Sequence, residues 1–294
     1  MNMTNTQKNI IFFGGDARQI SAAKILFAEG YSVFVFASAE DGGGALGTYE
    51  SVESALLNCD TVVLPLPVSL DNKTLNAPFL KNEQITLGRI TEAISKGKTV
   101  IGGRIPDGME QALSDKGVRV IDYFKSEAFQ IENAYTTSEA ALSIAMNNLK
   151  RNIRGARFAV TGYGRIARTL TELLLKLSGN VCVLARKESD LAWARLAGAS
   201  TMRLNSESID RLTHGYDIIF NTVPTWLFLE DFLLKINKDT LIVDLASSPG
   251  GVDVSAAKKL SSRVLWASSL PGKYAPESAG ELIASCIKNI ISEE

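Results

Sequence analysis

Two Rossmann-like, doubly wound parallel α/β domains are what this sequence predicts, on three observations. Short apolar runs alternate with helical patterns along its whole length, the signature of parallel sheets. The alternation restarts after a polar stretch at Arg154–Arg157. The run from Phe158 to Ala167 then reads strand, glycine turn, helix. A length of 294 residues accommodates two medium domains.

In the first half, strands are predicted at Ile10–Phe13, Ser32–Phe36, Thr61–Leu64, Thr99–Gly102 and Val118–Asp122. Helices fall between them, including Ala17–Glu29, closed by Gly30, and Thr86–Ser95, with Gly97 near its end. A glycine past the last turn is the common left-handed cap. The glycine-rich run 41–47 (DGGGALG) suits neither element and is predicted as a flexible loop. A helix over Ser138–Asn152, with Ser138 as N-cap, places Ala141, Ile144, Ala145 and Leu149 at helical spacing. The second half has strands at Phe158–Thr161, Val181–Leu184, Thr201–Leu204, Asp217–Asn221, Leu241–Asp244 and Val264–Ala267. The last helix, Pro276–Ser292, gathers Leu282, Ile283, Cys286, Ile287 and Ile290 on one side. The expected organisation is a discontinuous, flavodoxin-like first domain (1–137 plus 276–294), a linking helix (138–152) and a dinucleotide-binding domain (153–275).

Composition excludes several classes. A formal net charge of −1 gives no electrostatic reason to bind nucleic acid or an anionic membrane. No apolar run has the 18 or so residues that a membrane span needs. The N-terminus (MNMTNTQKN) lacks an apolar signal core, so a cytoplasmic protein is expected. Cys59, Cys182 and Cys286 are too few and too far apart for a disulfide framework or a zinc cluster; they read as small hydrophobes, and no metal is expected. A homo-oligomer is expected on general grounds.

The chemistry concentrates in Gly162-Tyr163-Gly164-Arg165-Ile166-Ala167. Gly162 permits the tight turn, Gly164 admits a pyrophosphate without a Cβ clash, and Ala167 lets the helix pack against its strand. The helix N-terminus then offers free N–H groups and a positive dipole end. At the end of the next strand an NAD site carries Asp or Glu for the ribose 2′-hydroxyl. This chain has Ala185-Arg186-Lys187-Glu188-Ser189. Ala185 does not repel a 2′-phosphate, Arg186 can grip one with its planar fork, and Lys187 and Ser189 add donors, which points to NADP. A plain basic surface loop is the alternative. Asn221-Thr222-Val223-Pro224 and Asp244, Ala246 and Ser247, at later strand ends, are expected to complete the site, together with Pro271.

Further segments carry a family resemblance. They are Gly14-Gly15-Asp16-Ala17-Arg18-Gln19, Pro65-Leu66-Pro67, Asp122-Tyr123-Phe124, Gly162-Tyr163-Gly164-Arg165, Asn221 to Pro224, Asp244 to Gly251, Leu270-Pro271-Gly272, Ala275-Pro276 and Ala279-Gly280. In this order, over essentially the whole chain, they resemble the A subunits of dipicolinate synthase from spore-forming bacteria. The resemblance implies a first domain like the substrate domains of 2-hydroxyacid and alanine dehydrogenases. It implies a partner, a flavoprotein-like B subunit. It further implies a dicarboxylate substrate, hydride transfer from dihydrodipicolinate to NADP+, and a place in the sporulating mother cell.

The residues agree with that chemistry by what they lack. Alcohol oxidation usually needs a histidine base. The one histidine, His214, sits where a helix end is expected, with Gly215 as its cap, and reads as structural. Aromatising a dihydropyridine asks mainly for alignment and exclusion of water. Arg18, behind Gly14-Gly15-Asp16 at a helix N-terminus, is the first candidate for holding a carboxylate; Arg104 after Gly102-Gly103 is the second. Lys273 and Tyr274, in the loop before the final helix, are candidates to face the nicotinamide. Asp16, Asp107 and Tyr123 are candidate proton acceptors, with packing the alternative for Tyr123. Two rival readings remain at this point: another NADP oxidoreductase of a small imine, amino acid or keto acid, and a cofactor-binding regulatory protein without chemistry of its own.

Overall fold

The computed structural model describes residues 8–38, 46–80 and 83–293. The chain divides into two compact units, 1–132 with 275–294, and 133–274. The first unit runs β1 (Asn9–Phe13), α1 (Ala17–Ala28), β2 (Ser32–Phe36), β3 (Gly47–Thr48), α2 (Val52–Leu57), β4 (Thr61–Val63), α3 (Leu87–Ala93), β5 (Thr99–Gly102), α4 (Asp107–Asp115), β6 (Arg119–Asp122) and a 3-10 turn at Tyr123–Lys125. The division falls inside α5 (Glu127–Asn148). The second unit continues with β7 (Arg157–Thr161), α6 (Arg165–Lys176), β8 (Asn180–Ala185), α7 (Glu188–Leu196), β9 (Ser200–Arg203), α8 (Ser206–Asp210), β10 (Ile218–Asn221), α9 (Glu230–Lys235), β11 (Leu241–Asp244), α10 (Val254–Lys259), β12 (Val264–Trp266) and α11 (Leu270–Tyr274). The closing α12 (Pro276–Ser292) belongs to the first unit.

Each unit is a six-stranded parallel sheet, ordered β3-β2-β1-β4-β5-β6 and β12-β11-β10-β7-β8-β9. Both follow the Rossmann order 3-2-1-4-5-6. The first unit was expected to be flavodoxin-like; setting aside its two-residue edge strand β3 leaves that order, 2-1-3-4-5. Alternation along the strands builds the layers. Ile10 and Phe12 pack with Ala23, Leu26 and Ile287 on one face, while Ile11 and Phe13 pack with Leu56, Ile90 and Leu113 on the other. In the second unit, Phe158 and Val160 face Leu170 and Leu174, while Ala159 faces Leu212 and Phe232. Gly280 explains how α12 closes on α1: a Cβ there would strike Ser21 and come within 2.9 Å of the Arg18 carbonyl oxygen.

Several expectations change. The helix expected over Ser138–Asn152 is Glu127–Asn148, with Ser138 in its interior. Serine looked like an N-cap, but its hydroxyl donates back to the Ala134 carbonyl at 2.9 Å, the alternative use of serine inside a helix. Of the loop expected at 41–47, residues 41–45 lie outside the described residues, and Gly47 opens β3. Lys273 and Tyr274 sit in the short helix α11, not in a loop. The expectation drawn from 1–7 also lies outside the described residues. Among the described residues no helix is long and apolar enough to cross a membrane.

Candidate functional site

In the second unit, β7 ends in Gly162, whose φ of +88° is left-handed and whose missing Cβ avoids Thr222. Ala167 is fully buried among Phe158, Val160 and Leu170, so α6 lies close against the sheet. Gly164 is the N-cap of α6, and no side chain caps that helix end. A Cβ on Gly164 would meet no protein atom within 4 Å, so packing within the chain does not require glycine there. The pyrophosphate reading supplies a reason from outside the chain: N–H groups uncapped by any side chain, with nothing projecting in front of them. The residues present therefore fit a dinucleotide.

The side chains around this turn take different roles. Tyr163 is buried in the core, its hydroxyl pKa pushed up by that burial, and the Arg168 guanidinium lies 5.4 Å from its ring centroid. It packs, leaving only its backbone to a ligand. Arg165 is exposed and Ile166 half-buried at the start of α6. Ala185 is buried, while Arg186, Lys187 and Ser189 are exposed at the head of α7. Glu188, the one carboxylate beside them that argued against a 2′-phosphate, accepts from Arg195 at 2.7 Å.

Asn221 and Asp244, expected to reach a cofactor, are both spent inside the protein. Thr161 Oγ1 donates to Asn221 Oδ1 at 2.6 Å, and Asn221 Nδ2 donates to Asp244 Oδ1 at 2.8 Å. Asp244 Oδ2 accepts from the Gly251 amide at 2.8 Å, and Oδ1 from the Ala246 amide at 3.2 Å. This buried clasp ties the β7, β10 and β11 ends together. The glycine pair 250–251 is its counterpart: a Cβ on Gly250 would come within 2.7 Å of Asp244 Oδ2, and one on Gly251 would strike Asn221 Nδ2. Thr222 is half-buried and donates to the Thr161 carbonyl at 2.8 Å; Val223 is half-buried, Pro224 and Ser247 are exposed, and Ala246 is buried. Pro271 is buried in α11 and packs, whereas Lys273 and Tyr274 are exposed.

In the first unit, the strand ends gather Asp16, Arg18, Arg104 and Tyr123, but not in the expected roles. Arg18 is only 7% exposed. Its Nε donates to Asp16 Oδ1 and its Nη2 to Asp16 Oδ2, both at 2.8 Å, and Nη2 also reaches the Leu66 carbonyl at 2.6 Å. Asp16 is the N-cap of α1, accepting from the Arg18 amide at 3.1 Å. A fork and a helix end were expected to converge on a substrate carboxylate; the carboxylate on which they converge is Asp16 itself. That engagement leaves Asp16 poorly placed as a proton acceptor. Tyr123 is fitted no better: burial pushes its hydroxyl pKa far up, and the nearby Arg18 lowers it by less, so its phenolate is disfavoured.

Arg104 holds the more open cation. It follows β5 in a left-handed conformation (φ +56°), its amide donates to Asp122 Oδ1 at 3.0 Å, and its guanidinium lies 4.8 Å from the Phe124 ring centroid. Its side chain is exposed and makes no ion pair among the described residues. Asp107, exposed at the first position of α4, lines the same surface groove. Sequence reasoning gave Gln19 no role. It is 2% exposed; Nε2 donates to the Leu64 carbonyl at 2.8 Å, while Oε1 has no partner. The Tyr123 hydroxyl is likewise buried without a partner. The only hint was the position of Gln19, one turn into α1 behind the glycine pair. His214 is exposed at the end of a 3-10 turn, its Nδ1 2.9 Å from Thr213 Oγ1, with Gly215 at φ +91°.

Taken together, two Rossmann-order sheets and a glycine turn ready for an anion define a chain of the two-domain dehydrogenase fold. Residues 9–124 match the family described as the N-terminal domain of the dipicolinate synthase A subunit. A curated relative, the A subunit of dipicolinate synthase from Bacillus subtilis (strain 168), is 26% identical over 291 residues, covering 98% of this chain and 97% of the relative. The crystal structure of the dipicolinate synthase A subunit from Bacillus halodurans superposes with a TM-score of 0.83 at 23% identity, covering 98% of this chain and 99% of that one. An L-alanine dehydrogenase structure shares the fold with a TM-score of 0.61 at 12% identity, covering 95% and 88%. Over nearly its whole length the chain is similar to the A subunits of dipicolinate synthase.

Proposed function

We propose that this chain is the NADP-binding, hydride-removing component of a dipicolinate synthase, oxidising dihydrodipicolinate to pyridine-2,6-dicarboxylate together with a partner B subunit. The observation that carries the cofactor half is the α6 N-terminus, which has glycine at its cap and no side-chain cap hydrogen bond. Ala185, Arg186 and Lys187 favour the 2′-phosphate form. The substrate and partner are inferred from the relatives, which are named as A subunits of a dipicolinate synthase.

When bound, NADP+ would supply the hydride acceptor. The chain's own work is binding and orientation. In the second unit, α6 would hold the pyrophosphate and the head of α7 the 2′-phosphate. In the first unit, Arg104 offers an exposed guanidinium to a carboxylate, and the buried Arg18–Asp16 pair stiffens the loops around it. Loss of a hydride and a proton gives an aromatic ring, which supplies the driving force that a strong base would otherwise provide.

The test mixes the purified full chain, a B subunit, dihydrodipicolinate and NADP+, omitting each in turn, and follows NADPH absorbance. NADPH formation that requires this chain, and prefers NADP+ to NAD+, is the expected result. NADPH appearing without this chain overturns the reading.

A further inference from the structure

We infer that the 2′-phosphate is held by three cations from two strand ends, Arg186, Lys187 and Arg203, and that Arg195 is a positioning residue that keeps Glu188 off the phosphate. This rests on the NADP reading above and extends it to two residues that the sequence did not single out.

The register brings Arg203 in. Strands β8 and β9 run parallel with Ala185 and Arg203 as direct Cα partners, so the last residue of β9 stands beside the residue that precedes Arg186. Side chains at paired positions leave the same face of a sheet. Val183 and Ala185 share their core cluster with Leu191 and Ala194 of α7, so this is the face that α7 covers. Thr201, two residues before Arg203 and hence on that same face, is bonded by Arg195 Nη1 at 3.3 Å. Arg203 itself is exposed at the C-terminal edge of the sheet, where phosphates bind in this fold.

The ion pairs then leave the charges unbalanced. The first turn of α7 holds two carboxylates, Glu188 and Asp190. Each is occupied by an arginine: Arg195 Nη2, from the last turn of the same helix, donates to Glu188 at 2.7 Å, and Arg168 Nη2, from α6, to Asp190 at 3.3 Å. Arg186, Lys187 and Arg203 make no ion pair among the described residues. Three cations without ion-pair partners thus stand at the neighbouring ends of β8 and β9, while both carboxylates of the first α7 turn are already paired. A 2′-phosphate carries the charge that such a cluster lacks; a ribose 2′-hydroxyl would gain far less from it.

The experiment measures the Kd of NADP+ and of NAD+ for the full chain and three variants. Arg203→Ala should lower the NADP+ over NAD+ preference by about tenfold, the cost of one charge-assisted phosphate contact. Arg195→Ala should lower it by roughly threefold, because the released Glu188 then repels the phosphate through solvent. Adding Glu188→Gln to Arg195→Ala should restore the preference, which a merely structural role for Arg195 would not allow. An unchanged preference in Arg203→Ala, or no rescue in the double variant, overturns the inference while the NADP reading stands. A parent chain that binds NAD+ as well as NADP+ overturns both.

Discussion

The two units place a glycine turn at the same point of the same topology, after the first strand and before the first long helix. They treat the helix end in opposite ways. In the first unit Gly14 and Gly15 are left-handed, and the Gly15 amide is already bonded to the Asn76 carbonyl. The helix end behind them is capped by Asp16, whose carboxylate is gripped by Arg18. In the second unit Gly162 is left-handed and Gly164 caps α6 without any side chain. Both helices begin at the carboxyl edge of a parallel sheet, where the fold concentrates positive potential. One answers it with its own carboxylate and the other has no side-chain cap. The residue at the N-cap, not the strand order, decides which turn suits a dinucleotide.

The largest effect is expected where that difference is removed. Gly164→Val should weaken dinucleotide binding by roughly a hundredfold or more, because it blocks approach to the backbone donors. The fold should survive with a loss of about 1 kcal/mol, the usual cost of a poor N-cap. Titration of the cofactor beside a denaturant melt checks both; retained affinity would refute the proposed turn. Gly15→Val should do the reverse. Its φ of +86° and the collision of a Cβ with Gln19 predict a stability loss of about 3 kcal/mol or more, read from the denaturation midpoint, with cofactor affinity per folded molecule unchanged.

Arg18→Ala probes the internal plug more gently. Breaking a buried pair costs up to about 5 kcal/mol, but the Asp16 side chain is 29% exposed and can rehydrate, so about 2 kcal/mol is expected. NADP+ affinity should not move, because Arg18 lies in the unit without the dinucleotide turn. In the coupled assay kcat/KM should fall as the Asp16 and Leu66 loops loosen. Unchanged stability would mean that the pair does not hold those loops.

How far the sequence could be read follows from the range of the forces involved. The strands of both sheets, β3 apart, were legible because a buried parallel strand is an apolar run bounded by turns, a local signal. The turn at Gly162 was legible for the same reason: its geometry is contained in a few consecutive residues. The start of α5 was not, because nothing near Ser138 shows that its hydroxyl is spent on Ala134. The two-residue β3 has no periodicity to read. In the candidate site, Arg18 and Asp16 were found as a pair of residues but not as partners of each other. Asn221 and Asp244 were identified by position at strand ends, yet they turn inward because each meets groups 23 or 60 residues away. Arg203 became visible only through strand register, which pairs it with Ala185 across a helix.

A smaller effect than these, and the sharpest for the second unit, belongs to Arg186. It follows the buried Ala185, is exposed, and precedes by two residues a glutamate already claimed by Arg195. Arg186→Ala should raise the Kd for NADP+ by about tenfold, since a bidentate contact to phosphate is worth somewhat more than 1 kcal/mol after solvent competition. The Kd for NAD+, which lacks the 2′-phosphate, should change far less. The NADP+ penalty should also shrink as salt rises, because an exposed charge pair is screened over about 8 Å at physiological ionic strength. Gly164→Val has neither signature: it should weaken both cofactors alike, at any salt. Equal losses of NADP+ and NAD+ in Arg186→Ala would reduce the head of α7 to an ordinary basic loop and leave the glycine turn alone to account for binding.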